Sequence, residues 1–360
     1  MRVYGIFRGF PGLGRVISGI SLMTELKKRG HEVKVYSYLQ GVDSLKEHGL
    51  DFIIENQPTI QQVMAIGLSP ICDIAEKIIG IICRDRPELV IIDGEPLMIS
   101  TLSMVYPRKR IMAILNPTDL YNESLPDSSA RFFHHHYLSA GTALVHGISK
   151  DMVVIPNDSQ GCEIVGMNTI LRTDVINMNV GTGKRIVAIL GGGCSNSSEN
   201  FFKSTVMMGE RIIAASREMP EEKFCVYCND ANVADCINTK YKPDNVKIEH
   251  EYVRPEEVYA GAKVVLCRAG RNTISELLYL GIPAILMASN GDFRSVEQEK
   301  NIEKTIEMYP GKIIKAGRDD NGVYLAKKIK ELIGYTEKRP MFVPGNKTAL
   351  EVIERVLVAD

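Results

Sequence analysis

No apolar run in this 360-residue, 40.0 kDa sequence approaches the roughly 20 residues that a membrane-spanning helix needs; runs such as Ile78 to Cys83 stop far short. No secretory leader is seen, since Met1-Arg2 runs directly into a strand and a glycine turn. We therefore expect a cytoplasmic protein with no transmembrane segment, for which peripheral membrane contact stays open. A formal net charge of -1 offers no bulk attraction for polyanions, so no nucleic-acid partner is expected. Solenoid repeats and low-complexity tracts are also missing. The eight cysteines are scattered over strand-like and helix-like segments rather than loops, as in a reducing compartment. Cys225 and Cys228 have zinc-like spacing, but residues three apart on a strand point to opposite faces, so one ion cannot collect both.

What is present is ordinary for a globular protein: 45% hydrophobic and 24% charged residues. The length exceeds what one core organises, so two domains are expected. Apolar strands alternate twice over with amphipathic helices, the signature of parallel sheets in an α/β protein. The first series reads Val3 to Phe7, Val33 to Tyr36, Phe52 to Ile54, Leu89 to Ile92, Arg110 to Leu115 and Met152 to Ile155. After the first strand, Val16, Ile20, Met23 and Leu26 fall on one helical face, and Arg29-Gly30 provides the stop. A second series opens at Arg185 to Leu190. The polar, irregular stretch Val165 to Arg172, followed by Gly181-Thr182-Gly183, reads as a linker. Expected boundaries are residues 1–166, a linker over 167–184, a second domain over 185–343, and a last helix, Lys347 to Leu357, within 344–360. Leu120 to Ala130, rich in Asn, Ser, Pro and Asp, reads as a flexible loop.

The most informative stretch is Cys267-Arg268-Ala269-Gly270-Arg271-Asn272-Thr273-Ile274-Ser275-Glu276. A buried strand, Lys263 to Cys267, leads into a glycine turn, then Thr273 in capping position ahead of a helix with Glu276 in its first turn. Free backbone N–H groups and the helix dipole at such an end suit phosphate. A carboxylate one turn in disfavours phosphate but suits a neutral diol such as ribose. Together these point to a nucleoside diphosphate, and so to a nucleotide sugar rather than a triphosphate. Gly191-Gly192-Gly193-Cys194-Ser195 repeats the phosphate-cradle device after the Arg185 to Leu190 strand; a tight strand–helix turn would need only one glycine.

The 267–276 run, the Leu280-Gly281-Ile282-Pro283 strand entry and the loop Asp292 to Asn301 resemble the donor-binding half of GT-B glycosyltransferases. They are most similar to the family 28 group, which includes the bacterial N-acetylglucosaminyltransferases acting on lipid I. The loop keeps Gln298 and Asn301 and has Glu297 where that group has a first Gln. The resemblance implies a GT-B fold: two Rossmann-like parallel-sheet domains facing a central cleft. It implies a donor site in the second domain, with backbone at Tyr252 and Val253 on the base and Glu276 on the ribose. Gly270, Arg271, Asn272 and Thr273, with the Gly191, Gly192, Gly193 and Ser195 loop, would serve the diphosphate, and Gln298 and Asn301 the sugar; Gly14, Arg268 and Glu297 complete the donor-binding set. It also implies that the last helix crosses back onto the first domain.

At the N-terminus, Gly12-Leu13-Gly14-Arg15 follows a strand and opens a helix. A dinucleotide site would require an acid at the end of the second strand, which instead ends Tyr36-Ser37-Tyr38. The resemblance predicts Gly-x-Gly-His here, the histidine being a proposed base, and Arg15 stands in its place. Arginine stays charged at neutral pH and cannot accept a proton; it could neutralise a phosphate or an acidic acceptor, or sit solvated at the surface. Asp93 and Glu95 stand at the carboxyl end of the Leu89 to Ile92 strand, where open α/β sheets place ligand contacts. Glu95 is the first candidate for a base and Asp93 the second, and a carboxylate that merely forms the turn fits as well. His134-His135-His136 fan out by about 100° each on a helix and cannot share an ion, although one of them could face the cleft.

The expected activity is transfer of a sugar from a nucleotide-diphosphate sugar, UDP-linked by the resemblance, to an acceptor the sequence does not identify (small molecule, glycan or lipid-linked). No metal and no cofactor beyond the nucleotide sugar are expected, and the resemblance suggests inversion. A nucleotide-sugar hydrolase on the same fold and a non-catalytic GT-B binding subunit are the alternatives.

Overall fold

The computed structural model describes all residues except 11, 64–70, 122–125, 181–182, 192–198, 239–241, 251–253, 290–293, 318–319, 335–341 and 360, and the side chain of Arg294. The chain forms two compact units, Met1–Arg172 with Pro344–Asp360, and Thr173–Val343.

The first unit is built on seven parallel strands: β1 (Arg2–Phe7), β2 (Glu32–Tyr36), β3 (Asp51–Phe52), β4 (Leu89–Asp93), β5 (Ile111–Leu115), β6 (Thr142–Gly147) and β7 (Glu163–Asn168). Their order is β3-β2-β1-β4-β5-β6-β7. Phe7 pairs with Asp93 and Asp93 with Ile114, so the carboxyl ends of β1, β4 and β5 lie level. The central strands are buried on both faces and read as continuous apolar runs, as parallel sheets require. Along the Gly14–Lys28 helix Val16, Ile20, Met23 and Leu26 enter the core, and Gly30 follows at φ 86°. The Asn346–Val358 helix adds Ala349, Leu350, Ile353 and Leu357 to the same core. It is fastened at its start: Asn346 Oδ1 accepts from the Leu171 amide at 2.8 Å, and its Nδ2 donates to the Leu171 carbonyl at 2.9 Å.

Three expectations change here. Met152 to Ile155 is not a strand; Lys150–Met152 is a 3-10 turn, and the strand is β6, whose six residues are all buried. Val165 to Asn168 is no linker but the last four residues of β7, the outer strand, whose exposure at Glu163 and internal glycine make it look irregular in sequence. Within Leu120 to Ala130, a short helix (Pro117–Leu120) ends and a second (Asp127–Tyr137) begins; residues 122–125 lie outside the described residues.

The second unit has six parallel strands in the order β10-β9-β8-β11-β12-β13: β8 (Arg185–Ile189), β9 (Phe224–Tyr227), β10 (Val246–Glu249), β11 (Ala262–Arg268), β12 (Ala284–Met287) and β13 (Ile313–Lys315). On one face Ile186, Val264, Leu266 and Ile285 pack against Ile212 and Ile213 of the Glu199–Arg217 helix and Leu325 and Ile329 of the Gly322–Ile333 helix. Each such side chain contributes about 1.5–3 kcal/mol on burial. Alternation along β11 puts Arg268 on that same face and Cys267 on the other. Cys228 packs in this core, while Cys225 points away from it, beside Arg185.

Candidate functional site

In the second unit β11 runs through Ala269 into the Arg271–Leu280 helix. Gly270 is the N-cap in extended conformation, no side chain caps the helix, and its first turn holds no acidic residue. The first i→i−4 bond is Ile274 N to Gly270 O, so the amides of residues 271–273 precede the helical ladder. A Cβ on Gly270 would meet nothing within 4 Å. This end combines space, backbone donors and the positive pole of a dipole, the requirements for a phosphate group. Because the turn is completed by Gly270, Thr273 is the third helical residue rather than the cap, and Glu276 belongs to the second turn. That corrects the sequence placement of both.

Glu276 is buried at 2% exposure, and its Oε2 accepts from Tyr259 Oη at 2.6 Å. Burial first, and then the charge of Glu276, push the Cys267 thiol upward, so the thiol stays neutral. Gln298 and Asn301, both buried, brace the backbone around the site. Gln298 Oε1 accepts from the Ser289 amide at 2.6 Å after β12, and Asn301 Nδ2 donates to the Ala269 carbonyl at 3.1 Å after β11. Glu297 lies half-buried in the first turn of the same Arg294–Met308 helix. Arg271 is buried, with Nε 3.3 Å from Asn272 Oδ1. Arg268 stands apart from this group, on the opposite face of the sheet, with its guanidinium 3.9 Å from the Phe201 ring centroid. Gly191 follows β8 at φ 131°. Gly192, Gly193, Ser195, Tyr252 and Val253 lie outside the described residues.

In the first unit the carboxyl ends of β1, β4 and β5 carry a partly buried charged cluster. Arg15, on the first turn of its helix next to the exposed Gly14, donates to Asp93 Oδ1 at 2.5 Å and to Asp119 at 2.9 and 3.0 Å. Burial opposes its charge, but Asp119 and then Asp93 outweigh this and hold the guanidinium firmly protonated. Gly94, at φ +84°, permits the crossing: a Cβ there would lie 2.6 Å from Arg15 Cδ. Asp93 and Glu95 are both fully buried, and Glu95 accepts a short hydrogen bond from Tyr38 Oη. Sequence reasoning missed Asp119, Tyr38 and Tyr259. The one available signal was the capping-box spacing of Asn116 and Asp119, which marks a helix start and says nothing of Arg15.

The histidine run diverges. His136 Nδ1 lies 2.8 Å from Ser100 Oγ, whereas His134 Nδ1 donates toward the Leu120 carbonyl at 3.4 Å. Burial, with His135 second, pulls His136 below the usual histidine range. Among the described residues no three His, Cys, Asp or Glu side chains converge on a point that a metal could occupy, and no helix is long and apolar enough to cross a membrane.

Residues 190–333 match the glycosyltransferase family 28 C-terminal domain. The chain has the GT-B fold and resembles family 28 glycosyltransferases. It is similar to the UDP-N-acetylglucosamine–N-acetylmuramyl-(pentapeptide) pyrophosphoryl-undecaprenol N-acetylglucosamine transferase of Ruminiclostridium cellulolyticum, with 27% identity over 166 residues, 44% of this chain and 42% of the relative. The Bacillus cytotoxicus protein of the same name is 25% identical over 170 residues, 46% of this chain and 43% of the relative. The matches thus span less than half the length of these curated relatives. Among solved structures, MurG of Acinetobacter baumannii superposes with a TM-score of 0.56 at 13% identity, covering 98% of this chain and 99% of that one. That likeness speaks to the fold.

Proposed function

We propose that the protein transfers a sugar from a UDP-linked nucleotide sugar to an acceptor, with the donor held by the Thr173–Val343 unit. One observation carries the reading. An uncapped helix start at Gly270 precedes a buried, hydrogen-bonded carboxylate at Glu276, within the stretch that matches the family 28 domain. Amides at the helix start would take the diphosphate and stabilise charge on the departing nucleotide without a metal. Glu276 would accept from the ribose hydroxyls. The matched relatives are named as acting on a lipid-linked acceptor, which makes lipid-linked acceptors the first to try.

The acceptor half departs from a simple base-catalysed scheme. Arg15 is spent on two carboxylates and Glu95 on Tyr38. That arrangement favours, as the second reading, a subunit that binds nucleotide sugar without transferring it. A nucleotide-release screen over UDP- and dTDP-sugars, with and without acceptors and with and without EDTA, separates the cases. Release that depends on an acceptor and survives EDTA supports the transferase. Release from donor alone identifies a hydrolase, and binding without release identifies the non-catalytic subunit.

A further inference from the structure

A cavity of about 310 Å³ opens in the Thr173–Val343 unit between the Glu199–Arg217 helix and the carboxyl ends of β11, β12 and β13. It is lined by the face of β11 that carries Arg268, opposite the face of Cys267, the thiol beside Glu276. Its floor is Arg268, 7% exposed, stacked on Phe201 and donating to Thr205 Oγ1 at 2.5 Å. A guanidinium is buried this deeply only where aromatic and polar contacts offset its lost hydration. Among the described lining residues three are cationic, Arg211, Arg268 and Lys315, against the single carboxylate of Glu299. Lys315 already pairs with Glu299 at 2.5 Å. The two arginines therefore set the sign of the recess, and a concave wall of one sign focuses their field. The rest of the lining is small residues and Met207, Met208 and Met287, flexible thioethers that adapt to an apolar body.

We propose that this cavity binds a small organic anion with an apolar body, at a site separate from that of the nucleotide sugar. The head group is a carboxylate or a phosphate, both of which guanidinium recognises through charge-assisted hydrogen bonds. The volume falls at the small end of ligand pockets, about 300–1,000 Å³, and the carboxyl end of a parallel sheet is where such folds place ligands.

The test is calorimetric titration of the full chain with octanoate, octyl phosphate and inorganic phosphate, using wild type and Arg211→Gln. Arg211 is only partly buried, so the variant is expected to fold, and its melting temperature confirms this independently. The proposal expects saturable binding of octanoate or octyl phosphate, with the tighter of the two identifying the head group. It expects about 10-fold weaker binding to Arg211→Gln, the scale of one charge-assisted contact, and no displacement by saturating UDP. Four results would overturn it: no saturable binding of either amphiphile, equal binding to a folded Arg211→Gln, inorganic phosphate binding as tightly as the amphiphiles, or displacement by UDP.

Discussion

The Arg15 guanidinium lies 2.5 Å from the Asp93 carboxylate, whose side chain is 1% exposed at the end of β4. Asp119 closes the other side of the same guanidinium at 2.9 Å. A partly buried arginine held between two carboxylates orders the carboxyl end of the sheet, and it cannot also carry a proton to or from an acceptor. Removing it strands Asp93 without its counter-charge, a change that costs about 3–5 kcal/mol for a buried pair. We expect Arg15→Ala to lower the urea midpoint accordingly, with donor affinity unchanged because Glu276, the carboxylate proposed to hold the donor, belongs to the other unit. A midpoint within experimental error of wild type would show that Asp93 finds another partner.

Glu95 shares the same sheet edge and takes the Tyr38 hydroxyl. If it serves as general base, Glu95→Gln lowers acceptor-dependent nucleotide release by about 10²-fold while UDP affinity stays level. Turnover close to wild type would confine the Glu95–Tyr38 pair to a structural role and turn attention to His134 and His136.

His136 supplies a pH signature. Burial, and then His135, hold its pKa below the ordinary 6.5. On acidification the unfolded chain takes up this proton before the folded one does. Stability from the neutral ring is therefore fully present above pH 6.5 and is lost as the pH falls below that value toward the lower folded pKa. Scanning calorimetry from pH 7.5 to 5 is expected to show a melting temperature that falls more steeply in wild type than in His136→Gln. Parallel curves would mean that the ring titrates normally.

Much of the fold is legible in the sequence because its physics is local. Buried parallel strands such as Leu89–Asp93 and Ala262–Arg268 are apolar runs, and the core-facing residues of the Gly14–Lys28 helix repeat at helical spacing. What misled was context. In Thr142–Gly147 a buried histidine and a glycine disguise a core strand, and Glu163–Asn168 is half exposed because it lies at the sheet edge. In the candidate site the Gly270 turn was visible, since a glycine between a strand and a helix has few other uses. Arg15 was visible as an oddity but not as a structural ion pair, because Asp119 is 104 residues away and only the sheet brings the two together. Likewise, the sequence order of Tyr259 and Glu276 gives no sign that one hydroxyl presets the other's carboxylate.

The central claim is that the Gly270–Glu276 segment holds a nucleoside diphosphate sugar, and direct binding tests it. Calorimetric titration of UDP-N-acetylglucosamine into wild type and Glu276→Ala is the decisive measurement, with folding of the variant checked by circular dichroism. The account predicts saturable binding to wild type, weakened by about 2–3 kcal/mol in the variant, the range for hydrogen bonds to a charged group. Equal affinity in a folded Glu276→Ala, or no binding of any UDP-sugar to wild type, would contradict it.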